Sequence, residues 1–242
     1  MDITQISGQQ CPGPQRFNIY AGIHKALRAC LTHTMLSVGR LDASTNSDVA
    51  RKAEEISELL QFCLAHARHE NDHIHPAVET AAPGSSAPMA GEHEDQIEAM
   101  SNIQSALRAV SAAGPEGRTE LAYDLYRQMS VFAAENLIHM EMEEAVLNPI
   151  LWQACTDAQL RELQARILAT LSPAEQMRSM HWMLPAMTPA ERIATLESAR
   201  EVAPAAAFQA VLRLARAKLE PADWAHLASR LQIAELGEVT SA

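Results

Sequence analysis

Apolar residues recur along the chain at three- and four-residue intervals, and the length of the periodic runs changes near position 155. Tyr20, Leu27, Leu31, Met35 and Val38 fall on one stripe, the spacing of a helix face, and predict a first helix over about 17–41. Similar runs predict a second helix from the end of the polar loop Asp42–Asp48 to about Glu79, a third over about 89–112 and a fourth over about 118–154. The breaks between them carry turn chemistry: Thr80–Gly91 holds two Pro, two Gly and two Ser, and Gly114-Pro-Glu-Gly117 is a Gly/Pro turn. Four long helices with short connections form an up-down-up-down bundle. Beyond Trp152 the runs shorten. Thr156-Asp-Ala-Gln159, Ser172-Pro-Ala-Glu175 and Thr188-Pro-Ala-Glu191 are capping-box starts, and two more short helices are expected over about 204–219 and 221–235. The expected organisation is all-α: a polar lead over 1–16, a four-helix bundle over 17–154 and a helical extension over 155–242.

The inward stripes are not purely apolar. His24 interrupts the first one. In the second helix His66 is followed by Glu70 and Pro76, and in the fourth His139 is followed by Glu143 and Pro149, so both copies place Glu four and Pro ten residues after His. Residues four apart on a helix stack with an offset of roughly 40°, so each pair aims an imidazole and a carboxylate at one place. Leu59, Phe62 and Ala77 flank the first pair, and Phe132, Val146 and Ile150 the second. An isolated His and Glu at this spacing is commonly a surface pair worth roughly a few tenths of a kcal/mol. The repetition argues otherwise, because a carboxylate on an apolar face is costly unless paired or coordinated. Each copy is also preceded by another inward His: His24 lies 42 residues before His66, and His93 lies 46 before His139. Two hairpins that each present His, His and Glu can share cations between them. The candidate metal ligands are His24, His66, Glu70, His93, His139 and Glu143. Donors of this kind, without thiolate, suit iron, with manganese as the alternative.

Helical projection also places His73 and Ile97 inward, turns His75 and Glu144 away, and puts Glu135 one turn before His139. A ferritin-like centre needs a carboxylate from each helix. The first helix has none between Phe17 and Leu41.

The run Tyr20-Ala-Gly-Ile-His24-Lys-Ala-Leu-Arg28, then His66-x3-Glu70, Glu92-His93-Glu94 and His139-x3-Glu143-Glu144, resembles the hemerythrin (HHE cation-binding) family, of the bacterial type. That resemblance implies a non-haem di-iron centre with an oxygen bridge, a His on each helix and two bridging carboxylates. It departs from the invertebrate oxygen carriers, which have a second His where Ile97 stands and an Asp where Glu144 stands. Fewer ligands imply open metal positions and reaction with O2, peroxide or NO. The alternative is an oxygen- or iron-sensing protein acting through its C-terminal helices.

The 242 residues are 48% hydrophobic and 20% charged, with a net charge of −11, and no basic stripe is present to meet phosphates, so no nucleic-acid partner is expected. No run nears the ~20 apolar residues that span a bilayer, and the first residues lack a secretory signal, so a cytoplasmic protein without a membrane partner is expected. The four cysteines have no CxxC spacing. Free thiols are expected, with Cys30 and Cys63 packed as small hydrophobes and Cys11 on the polar lead. The partners expected are a diatomic ligand or peroxide, and a protein partner or second copy at the C-terminal helices.

Overall fold

In a computed structural model of the chain, residues 16–233 are described; the lead before Arg16, Cys11 included, and positions 234–242 lie outside them. The described residues are helical and contain no strand. Helix α1 is Ala21–Val38. Helix α2 runs over Asn46–His69, widens into a π turn at Glu70–Ile74 and resumes over His75–Ala81. Helix α3 is Ala87–Ala112, and α4 repeats the form of α2, with Pro115–Met142, a π turn at Glu143–Leu147 and Asn148–Ala154. Five short helices follow: α5 Asp157–Thr170, α6 Pro173–Ala186, α7 Pro189–Val202, α8 Ala205–Lys218 and α9 Pro221–Arg230.

Helices α1 to α4 pack as a closed square, with α1 on α2, α2 on α3, α3 on α4 and α4 back on α1. The interior is filled by Leu27, Leu31, Ile56, Leu59, Ile103, Leu125, Met129 and Phe132, all fully buried. α1 begins later than its apolar run suggests. The Asn18 carboxamide oxygen accepts from the N–H groups of Tyr20 and Ala21 at 2.9 and 3.1 Å, supplying partners that a helix start otherwise lacks. At the far end of the square the buried Arg118 guanidinium donates to Ala113 O, Ala43 O and Asn46 Oδ1, tying the α1–α2 and α3–α4 connections together.

The two π turns change the register that simple projection assigns. The His75 N–H donates to Glu70 O and the Asn148 N–H to Glu143 O, each spanning five residues. The next residues, Pro76 and Pro149, have no N–H to restore the four-residue ladder. One extra residue in the turn rotates everything after it by about 100°. Ile74 and Val78 are therefore buried rather than His73 and Ala77, and Leu147 and Leu151 rather than Val146 and Ile150. His75, expected to face outward, is buried.

α5 was grouped with the extension, yet Leu160 and Leu163 join Ile19, Tyr20, Ile74, Val78, Met89, Leu147 and Leu151 in one core at an end of the bundle. Arg16 reinforces this by bonding Asp157 Oδ1 at 2.6 Å and the carbonyls of Trp152 and Cys155. The division into compact units falls between Leu171 and Ser172.

The second unit has its own core of Leu184, Leu196, Phe208, Leu212, Leu227 and Leu231. Thr156, Ser172 and Thr188 each form a complete capping box with the Gln or Glu three residues on. Buried Arg192 bonds Leu184 O and Asp223 at 2.7 Å each. Met180 and Met187 serve as packing groups around Leu184.

In chemical denaturation Leu196→Ala is expected to destabilise the second unit by about 2–5 kcal/mol through the cavity it leaves. Thr188→Ala, which removes only the cap, is expected to cost about 1 kcal/mol.

Candidate metal centre

The chemistry sits inside the square, where the two His–x3–Glu pairs meet. His24 from α1, His66 and Glu70 from α2, His93 from α3, and His139 and Glu143 from α4 converge there. Each is buried or nearly so, and Glu70 and Glu143 have no meaningful exposure.

The donor atoms fall into two sets of four. His24 Nε2 lies 3.5 Å from Glu70 Oε1 and 3.3 Å from Glu143 Oε2, and His66 Nε2 is 3.1 Å from Glu70 Oε1. On the other side His93 Nε2 lies 3.4 Å from Glu70 Oε2 and His139 Nε2 lies 3.4 Å from Glu143 Oε1. The two imidazole nitrogens of this second pair are 2.9 Å apart. Each carboxylate thus turns one oxygen to each His pair. His24, His66, Glu70 and Glu143 form one group able to hold a metal ion, and Glu70, His93, His139 and Glu143 form the other.

Behind this cluster a second layer sets the ring orientations. His24 Nδ1 pairs with Glu144 Oε1 at 2.9 Å, His93 Nδ1 with Asn71 Oδ1 at 2.9 Å and His139 Nδ1 with Glu92 Oε2 at 2.8 Å. An acceptor on Nδ1 fixes the tautomer that presents Nε2 as a metal donor. Sequence projection turns Glu144 away; instead it bridges His24 and Arg28 Nη1, the latter at 2.8 Å. Glu135, placed one turn from His139, is exposed, and the ring is oriented by Glu92 from another helix. Helical spacing assigns neither Glu92 nor Asn71 to its imidazole, because each reaches across a helix interface.

Ile97 also differs from expectation. It is 45% exposed, and Gln96 takes the inward place. The buried stripe of α3 runs through His93, Gln96, Met100, Ile103, Leu107 and Val110, and Ile97 lies about 100° from Gln96 around the helix. His69 and His73 are half-buried, and no metal-holding group among the described residues includes either of them or Glu144.

The electrostatics are those of a site built for cations. Burial disfavours the His24 imidazolium, but Glu143, Glu144 and Glu70 outweigh it and raise its pKa to about 10. Burial acts likewise on His139, where Glu143, Glu92 and Glu70 raise the pKa to about 9. His66 is the reverse case: burial, helped by the charge on His24 and His93, lowers it to about 4 despite Glu70. Glu70 and Glu143 stay below the usual carboxylate range, the imidazoles overcoming burial and, for Glu143, its repulsion from Glu70. Glu144 is held down to about 2, its burial outweighed by bonds to His24 and Arg28.

The family model for the hemerythrin HHE cation binding domain matches residues 18–151. The chain belongs to that family. No curated protein and no solved structure matches it. Belonging to this hemerythrin family implies a metal cofactor, and the residues present fit one: both oxygens of Glu70 and of Glu143, and the Nε2 atoms of His24 and His66, are buried without a hydrogen-bond partner. Metal coordination satisfies such donor atoms at no desolvation penalty to the protein.

Two outcomes follow from this hemerythrin site. His24 and His139 hold protons at pH 7 because their pKa values are raised, and a metal must displace them. Calorimetry in buffers of different ionisation enthalpy should show about two protons released per chain on metal loading, with apparent affinity rising from pH 7 towards 9. Absence of proton release would contradict the assigned protonation. Glu144→Ala, which frees the back of His24, should weaken metal binding by about 10–100-fold in a chelator competition.

Proposed function

We propose that residues 17–154 form a non-haem di-iron domain that binds and reacts with O2, peroxide or NO. The observation that supports it above the rest is the division of each buried carboxylate, one oxygen to His24 and His66 or to His24 alone, the other to His93 or to His139. Such a division would let both carboxylates be shared between two ions. Imidazole and carboxylate donors suit iron, with manganese as the second choice.

Each ion would receive two nitrogens and two carboxylate oxygens from the protein. Iron with so few protein donors would keep places open for an added ligand. The reactive reading thus rests on the number of donors and not on Ile97, which lies outside the site. When bound, the metal pair supplies redox chemistry and Lewis acidity. The protein's residues do the rest. Glu70 and Glu143 hold the ions together, Glu144, Asn71 and Glu92 fix three imidazoles, and the surrounding core keeps bulk water out.

A second reading, oxygen or iron sensing, is favoured by one observation. The unit beginning at Ser172 is compact by itself and holds none of the proposed ligands, which suits a partner-binding module.

Protein made with iron in the medium should contain two iron ions per chain by metal analysis. Glu143→Ala should retain no more than one. Because metal bound only to the folded chain adds to its stability, chelation should lower the melting temperature. Anaerobic reduction followed by separate additions of O2, peroxide and NO, watched by absorption, tests the reactivity: rapid oxidation supports the reactive reading, and a stable reversible oxygen adduct overturns it.

A further inference from the structure

Ten buried side-chain atoms among the described residues lack a hydrogen-bond partner, and six of them are the donor atoms of His24, His66, Glu70 and Glu143. The other four are Tyr20 Oη, His75 Nε2 and both polar atoms of the Asn148 carboxamide. Tyr20 and Asn148 are 0% exposed and His75 is 5% exposed. A buried polar atom without a partner is costly, and native proteins keep few of them.

These three residues lie at one end of the bundle. α1 runs opposite to α2 and α4, so the turn before His24 lies at the same end of the bundle as the turns after Glu70 and Glu143. Tyr20 is four residues before His24; His75 and Asn148 are each five residues after a bridging glutamate, at the close of the two π turns. The Tyr20 ring lies 5.0 Å from that of His24, and the His75 ring stacks on that of His93 at 5.4 Å and 9°. The segments that carry His75 and Asn148 pack on each other, and Tyr20 shares a core with their neighbours Ile74 and Leu147. The π turns are what bring His75 and Asn148 inward. Without the extra residue in each turn, His73 and Val146 would face the site instead.

We propose that Tyr20, His75 and Asn148 together bind the exogenous ligand of the metal pair, a small diatomic or triatomic oxygen or nitrogen species that accepts hydrogen bonds. This rests on the metal reading above and adds to it the groups that recognise the ligand. The Tyr20 hydroxyl and the Asn148 amide donate to the ligand, and His75 Nε2 completes the set from the side of His93. His75 stays outside both metal-holding groups, so its task is to hold the ligand rather than a metal. A ligand held by such donors is stabilised as an anion.

The test uses the iron-loaded full chain titrated with azide, read by charge-transfer absorption and calorimetry. Tyr20→Phe, His75→Leu and Asn148→Leu should each keep two irons and lose azide affinity by about tenfold or more, the size of a lost hydrogen bond to an anion. His75→Gln, which keeps a donor, should lose far less. In the metal-free chain Tyr20→Phe should melt no lower than the unaltered protein, because it removes a buried hydroxyl that has no protein partner. A residue needed only for packing would give the opposite pair of results. Should the larger changes prevent folding, Tyr20→Phe decides alone, since it deletes one atom. Unchanged azide affinity at two irons per chain overturns the proposal and leaves the metal reading standing. An unaltered chain that takes up no iron overturns both, and shows it before azide is added.

Discussion

Two carboxylates held dry at the middle of a helical bundle constrain everything else in this chain. Glu70 and Glu143 face each other across the core among four imidazoles, and ionised groups in such a place persist only with positive charge beside them. Four helices must therefore deliver their histidines at one level. The closed packing of α1 to α4 does this, and Arg118, bonding two connections at the far end, keeps the helices in step. The carboxylates in turn raise the pKa of His24 and His139, which favours positive charge beside them.

Much of this is legible in the sequence. The apolar stripes mark all four long helices, the duplicated His–x3–Glu with its trailing Pro isolates four of the six side chains that meet, and the inward histidines before each copy, His24 and His93, supply the other two. What escapes is whatever departs from a straight α-helix or crosses between helices. Ile97 was placed inward by counting four from His93, whereas Ile103 and Val110, which also belong to the stripe, turn the face towards Gln96. His73 and Val146 were placed inward because a constant 100° per residue takes no account of the π turns. Pro76 and Pro149 were the visible trace of those turns. Their shared position is a periodic feature, but its meaning depends on which carbonyls lose a donor, and projection carries no hydrogen bonds. Glu144, Glu92 and Asn71 reach imidazoles of other helices, so no spacing along the chain encodes them.

The layer behind the imidazoles is not sealed. Glu144, Arg28 and Glu92 are partly exposed, with side chains 23%, 32% and 38% accessible, while the rings they serve are almost wholly covered. A single hydrogen-bonded step therefore separates the centre from solvent on two of its sides. Buried hydrogen-bonded pairs of this kind carry electrostatic influence better than water does, so side chains on the bundle's exterior tune the imidazoles that face its interior.

The two π turns act as swivel joints. Each long helix holds one rotational phase up to its glutamate and another after it, so the stretch beyond the turn is geared separately from the stretch that carries the His–Glu pair. Ile74, Val78, Leu147 and Leu151, with Leu160 and Leu163 of α5, form a cap keyed to that second phase. Repacking the cap thus shifts His75 and Asn148 first and leaves the convergence of His66, Glu70, His139 and Glu143 in place. The chain can refit one end of its bundle without re-aiming the donors at its centre.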